Sequence, residues 1–128
     1  MLLLDTHVFV WLASDARELS NRAKQAIEEE CDSLFISGIT GLEIALAAKR
    51  GRLILPVDAE MFIRRAVLQH GVRQIPVTAE IGCLAAALPD KHNDPFDRLI
   101  IASATRHGMK VVSKDGTFPK YPAIEVIW

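Results

Sequence analysis

Carboxylates recur in this 128-residue chain where an apolar run ends or a helix begins. Asp5 directly follows Leu2-Leu3-Leu4, and Glu43 is the sole charge in the stretch from Ile39 to Ala48. Asp94 and Asp97 share the run D-P-F-D, and Asp115 comes soon after Val111-Val112. Five acids gathered in one crevice would repel by ~4 kcal/mol per pair at ~4 Å and an effective dielectric of ~20, so they must bind protons or share a cation. Oxygen donors without a Cys or His cluster suit a hard ion, Mg²⁺ with Mn²⁺ as a substitute, and such an ion bridges carboxylates to a phosphate. The chemistry would be hydrolysis of a phosphate ester by water activated at the metal, with no protein nucleophile.

Most of these acids have an ordinary structural explanation as well. Asp5 and Asp94 are good helix N-caps, Pro95 fits the first helical position, and Asp97 in the first turn favours the helix dipole. Asp115-Gly116 is a common turn pair. Glu43 is harder to dismiss, because an isolated carboxylate on an uncharged helix faces either water or a site. The hydroxyls of Thr6, Ser37, Thr40 and Ser113 can orient acids or water, or simply bond to the backbone. His7, His70, His92 and His107 are scattered singly and read as surface or polar-packing residues.

The elements that must position these groups alternate. Short apolar runs at Leu2 to Leu4, Leu34 to Ile36, Gln74 to Val77, Val111-Val112 and Ile124 to Ile127 predict five strands. Helices are expected after Asp5, from Ser20 to Glu30, from Ile39 to Arg50, from Asp58 to Gly71, from Thr78 to near Pro89, and from Asp94 to Gly108. This alternation predicts an α/β fold, a three-layer α/β/α sandwich with a short parallel sheet, in one domain spanning residues 1–128. Ligands of such sheets bind in the crevice beyond the carboxyl ends of the strands, where Asp5 and Asp115 fall.

Half of the residues are apolar and a quarter charged, a composition that excludes a disordered or collagen-like chain. The formal charge of −1 excludes nucleic-acid binding by bulk electrostatics alone, but neutralising the five acids turns it to +4. Lys49, Arg50, Arg52, Lys91, Arg98 and Lys114 then offer a local phosphate track near the expected mouth. Arg52, Arg98, Lys114, Thr6 and Thr40 are the expected substrate contacts. Cys31 and Cys83 have neither metal-site nor disulfide-scaffold spacing, so a reducing cytoplasm is the expected location. The apolar start MLLLDTHVFVWLA lacks a basic leader and is interrupted by Asp5 and His7. It reads as a buried strand and helix, and no apolar run reaches the ~20 residues of a membrane span.

Taken together, LLLDTHVFVWLA, ISGITGLEIA, DPFDRLIIASA and VVSKD resemble, in order and over nearly the whole chain, the PIN-domain ribonucleases, and among them the VapC-type toxins of toxin–antitoxin pairs. The resemblance implies a PIN fold, Mg²⁺- or Mn²⁺-dependent cleavage of RNA to a 5′-phosphate and a 3′-hydroxyl, a homodimer, and inhibition by a cognate antitoxin protein. It maps the family's acidic quartet onto Asp5, Glu43, Asp97 and Asp115. Asp5 and Asp97 become the principal metal ligands, while Glu43 and Asp115 complete the shell through water or hold a second ion. Asp94 is either a ligand or a helix cap. The Ser/Thr that accompanies the quartet corresponds to Thr6, Thr40 or Ser113.

Two other classes place similar residues together. A phosphotransfer receiver also puts acids at strand ends and binds Mg²⁺, with Lys114 in the lysine role, but it requires neither Glu43 nor the Asp94–Asp97 pair. A non-catalytic RNA-binding PIN scaffold would retain the acids for folding alone.

Overall fold

The computed structural model describes residues 1–128. Strands β1 (Leu2–Leu4), β2 (Leu34–Ser37), β3 (Arg73–Ile75), β4 (Lys110–Val112) and β5 (Val126–Ile127) form one sheet. Its order is β3-β2-β1-β4-β5, and every neighbouring pair is parallel. Helices α1 (Thr6–Ser14), α2 (Asn21–Glu29), α3 (Ile39–Lys49), α4 (Ala59–His70), α5 (Ala79–Ala87) and α6 (Pro95–His107) connect the strands.

The expected boundaries shift by one residue at β2, which runs on to Ser37, and at β4, which starts at Lys110, and by more at β3 and β5. β3 begins at Arg73 and ends at Ile75, because Pro76 has no N–H to offer a ladder. β5 is confined to Val126–Ile127, since the N–H of Ile124 closes a turn on the Tyr121 carbonyl at 3.3 Å instead of pairing with a neighbour. Helix starts follow the capping residues read from the sequence. Ser20, Asp58 and Thr78 each accept the N–H three residues on, and Asp94 accepts that of Phe96. Gly71 and Gly108, both at φ +64°, end α4 and α6 in the left-handed conformation that a side chain would strain.

The strand order determines where the crevice lies. From β1 the chain steps to β2 and then β3, so right-handed crossovers place α1 to α4 on one face. It then jumps back past β1 to β4, which puts α5 and α6 on the other face. The packing agrees: Leu2 and Leu4 join Phe9, Ile27, Ile44 and Phe62, whereas Leu3 joins Ile81, Ile100, Ile101 and Phe118. All three leucines of β1 are fully buried, and burying each stabilises the fold by roughly 2 kcal/mol. Beyond the carboxyl ends of β1 and β4 the connections diverge to opposite faces, which opens a cleft between them.

Candidate functional site

Asp5 emerges from β1 into that opening and is only 4% exposed. Its Oδ1 accepts the Thr6 N–H at 2.7 Å, so it caps α1, while Oδ2 accepts the Ser113 hydroxyl at 2.7 Å. Ser113 is the first residue past β4, and its Oγ also accepts the Asp115 N–H at 3.0 Å. Asp115 then uses Oδ1 for the turn, accepting the Thr117 N–H at 2.8 Å, and turns Oδ2 toward His92 Nε2 at 3.2 Å. The turn takes one oxygen of Asp115 and leaves the other facing His92.

Glu43 stands on the second turn of α3. Thr6 donates its hydroxyl to Glu43 Oε1 at 2.8 Å, and the Thr40 hydroxyl lies 3.1 Å from that of Thr6. Because the single Thr6 hydroxyl proton goes to Glu43, Thr40 is the donor to Thr6, and a two-step relay fixes the carboxylate. The start of α6 delivers the other two acids. Asp94 accepts the Phe96 N–H at 2.9 Å as N-cap, and Asp97 Oδ2 lies 2.8 Å from His92 Nε2.

The electrostatics are those of crowded acids. Burial pushes Glu43 up to about 7, with the charges of Asp5 and Asp94 adding to the rise and the Thr6 hydrogen bond opposing it. Burial also pushes Asp97 up to about 7, with Asp5, Asp94 and Glu43 adding and His92 opposing. Asp5 is raised, again chiefly by burial. Burial acts upward on Asp115 too, but hydrogen bonds from Thr117 and His92 outweigh it and hold the carboxyl below its usual value. No lysine or arginine pairs with any of the five. Oxygen-rich, mutually repelling and without a cationic side chain, the donor set fits a hard divalent ion.

A cleft of about 550 Å³ opens beside the acids between α1 and α3. Thr6, Glu43 and Asp94 line it together with apolar Val10, Trp11, Ala47 and Leu53 and the exposed Arg50 and Arg52. Exposed Lys114 sets its Nζ 5.9 Å from the Trp11 ring centroid.

Three expected substrate contacts are otherwise engaged. Thr6 and Thr40 are 6% and 0% exposed, and their hydroxyls serve Glu43. The Arg98 guanidinium turns inward, donating to the carbonyls of Ala85, Ala86, Leu88, Pro89 and His92. It satisfies the free carbonyls at the end of α5 and the loop that follows, which leaves no donor for a phosphate. His92 is not the isolated surface or packing residue expected, because its Nε2 hydrogen-bonds Asp115 Oδ2 at 3.2 Å and lies 2.8 Å from Asp97 Oδ2. Its position two residues before the capping Asp94, in the same turn as both α6 acids, was the available signal.

A carboxylate-lined crevice at the reversal point of a five-stranded parallel sheet defines the class: an α/β protein with a group of acids and a histidine that could hold a metal ion. The PIN domain family model matches residues 2–124, and the chain belongs to that family. It is 34% identical over 130 residues to Ribonuclease VapC22 of Mycobacterium tuberculosis, covering 99% of this chain and 98% of that relative. Among solved structures it resembles a toxin-antitoxin complex from Klebsiella pneumoniae, with 27% identity, a TM-score of 0.69, and 97% and 95% of the two chains covered. DNA-bound VapBC from Salmonella typhimurium shares the fold, with a TM-score of 0.70 at 17% identity over 98% and 95% of the chains.

Proposed function

We propose that this chain is a divalent-metal-dependent endoribonuclease and the toxin of a toxin–antitoxin pair. The observation that carries the reading is Asp97, surrounded by the charges of Asp5, Asp94 and Glu43 and paired with no lysine or arginine. The whole-length likeness to a relative named as a ribonuclease supports RNA as substrate. The likeness to a toxin-antitoxin complex supports a cognate antitoxin as partner. A homodimer and a cytoplasmic location belong to the same reading, and no helix is long and apolar enough to cross a membrane.

Asp5 and Asp97 are the principal ligands, and Glu43 and Asp115 complete the shell through water or a second ion. Asp94 spends one oxygen on its cap and lines the cleft. When bound, Mg²⁺ or Mn²⁺ supplies Lewis-acid polarisation of the phosphodiester and activation of water at neutral pH. The chain supplies the rest. Ser113 and Thr6 hold Asp5 and Glu43 in register, and Arg52 and Lys114, free at the surface, receive the flanking phosphates of the RNA. Cleavage leaves a 5′-phosphate and a 3′-hydroxyl.

The test is cleavage of a labelled RNA by purified Asp97→Asn and Asp5→Asn, with Mg²⁺ and with a chelator. Each variant should lose roughly 100-fold or more of the metal-dependent rate, in line with losing a ligand from a preorganised charge site. Full Mg²⁺-dependent cleavage by either variant contradicts its assignment.

A further inference from the structure

The acids of the site call for a cation, but the wall that begins beside them is apolar. Val10, Trp11, Ile44, Leu53 and Phe96 line the cleft of about 550 Å³ that Glu43 and Asp94 also border. The indole of Trp11 is braced on two sides. His7 lies one turn before it on α1, with ring centroids 5.9 Å apart and 42° between the planes, and Trp128 meets it at 5.9 Å and 46°. Half-buried and packed against the core, Trp11 still forms part of the cleft wall, so it presents an aromatic surface whose orientation is set before anything binds. At the rim, Arg50 and Arg52 are exposed and belong to none of the ion pairs.

These features ask three things of one occupant: negative charge for the arginines, a flat apolar face for the indole, and a bond to be cut beside the carboxylates. In RNA the phosphates carry the charge, and the bases are the groups with apolar faces. A base in a duplex keeps those faces against its neighbours, whereas an unpaired base can be splayed out onto an aromatic side chain. An acidic peptide offers charge and apolar groups but no phosphodiester, and the cleft shares Glu43 and Asp94 with the acidic site. We propose that the cleft is a nucleobase pocket. An unpaired base next to the scissile phosphodiester stacks on Trp11, and Arg50 and Arg52 receive the phosphate beyond it. Trp11 is thus a specificity-determining residue that directs cutting to single-stranded or looped RNA. The inference rests on the ribonuclease reading above and specifies its substrate.

The experiment follows fluorescence of the full chain carrying Trp128→Phe, which leaves Trp11 as its single tryptophan, on titration in chelator with a single-stranded oligoribonucleotide. A stacked base should quench the indole. A duplex of the same sequence and an abasic strand of equal charge should each bind roughly 10-fold or more weakly and leave the fluorescence unchanged. In Mg²⁺, cleavage by the wild type should fall roughly 10-fold or more when the base beside the cut is removed. Trp11→Ala should show a similar fall on intact RNA and little further loss on the abasic one, and Trp11→Phe should recover most of the rate. Equal quenching by the abasic strand, or duplex binding as tight as that of the single strand, overturns the proposal. Quenching by an acidic peptide but not by RNA overturns it as well, because the cleft is then a peptide site. If Trp11→Ala does not fold, Trp11→Leu, which keeps bulk without an aromatic face, is subject to the same criteria. A chain that RNA quenches but that cuts none in Mg²⁺ defeats the ribonuclease reading and leaves the pocket standing, whereas cleavage with Trp11 fluorescence unchanged does the reverse.

Discussion

The hydroxyl of Ser113 reaches Asp5 Oδ2 at 2.7 Å across 108 residues of sequence while accepting the Asp115 N–H at 3.0 Å. One small side chain therefore couples the ends of β1 and β4 and sets two acids of the site relative to each other. Ser113→Ala leaves a carboxylate oxygen of Asp5 buried with one donor fewer, a loss of about 1–3 kcal/mol. With the orientation of a ligand relaxed, Mn²⁺ affinity should fall roughly 10- to 100-fold. Calorimetric titration checks this, and unchanged affinity would remove Ser113 from the site.

Stability in the absence of metal should depend on pH in an uncommon direction. Glu43 and Asp97 are raised to about 7 in the folded chain from 4.5 and 3.8, and Asp5 is raised as well. Between those limits the folded state binds more protons than the unfolded state, so these groups stabilise at low pH and that contribution is lost as pH rises through about 7. His70, whose charged form burial disfavours, acts in the opposite direction. The contribution of the site is therefore isolated by comparison with Asp97→Asn. In chelator, thermal melts should show the variant gaining on the wild type as pH rises from 5 to 8. Mg²⁺ should reverse the order at pH 8, since ion at ~100 times its Kd stabilises the wild type by about 2.7 kcal/mol. A variant that tracks the wild type across the range would show that the carboxylates do not clash.

What was legible in the sequence, and what was not, follows from how far each residue's partners lie along the chain. The caps at Ser20, Asp58, Thr78 and Asp94 are local devices, and the helices begin where those residues predict. Glu43 was legible because a charge in an uncharged helix needs a reason. Asp5, Asp94 and Asp115 presented a choice between structural and chemical roles; each uses one carboxylate oxygen for a cap or turn, and such use does not by itself exclude a role for the other. His92 was hidden because its ring's carboxylate partner, Asp115, lies 23 residues away. Arg98 was misleading for a similar reason: next to Asp97 it looks like a phosphate contact, until the fold brings the end of α5 beneath it.

The relay from Thr40 through Thr6 to Glu43 makes a prediction that separates orientation from folding. Thr6→Val preserves shape but removes the hydroxyl that donates to Glu43 at 2.8 Å, and with it the hydrogen bond that opposes the rise of the Glu43 pKa. Glu43 should then titrate higher, and the alkaline rise of metal-dependent cleavage should shift to higher pH with at least a several-fold loss of rate at pH 7. A pH–rate profile of Thr6→Val against wild type measures it. An unshifted profile would mean that Glu43 does not contribute to the rate as a carboxylate.

Arg98 holds the segment that carries His92. Its guanidinium donates to Ala85 at 2.8 Å and Leu88 at 2.8 Å, and to Pro89 and His92 at 3.1 Å each, while Tyr121 donates its hydroxyl to Pro89 at 2.8 Å from the other side. Arg98→Ala removes several charge-assisted hydrogen bonds at once and takes from the Leu88 and His92 carbonyls their side-chain donor, which should cost about 3 kcal/mol or more of stability. Arg98→Lys keeps the charge but cannot fork toward so many carbonyls, so it should recover only part of that loss. Denaturant unfolding of both variants gives the stability ordering. RNA affinity, measured by filter binding at a temperature where all three proteins are folded, should fall less than about 3-fold, because no Arg98 donor is free for a phosphate. A large drop in RNA affinity with little change in stability would restore Arg98 to the role of substrate contact.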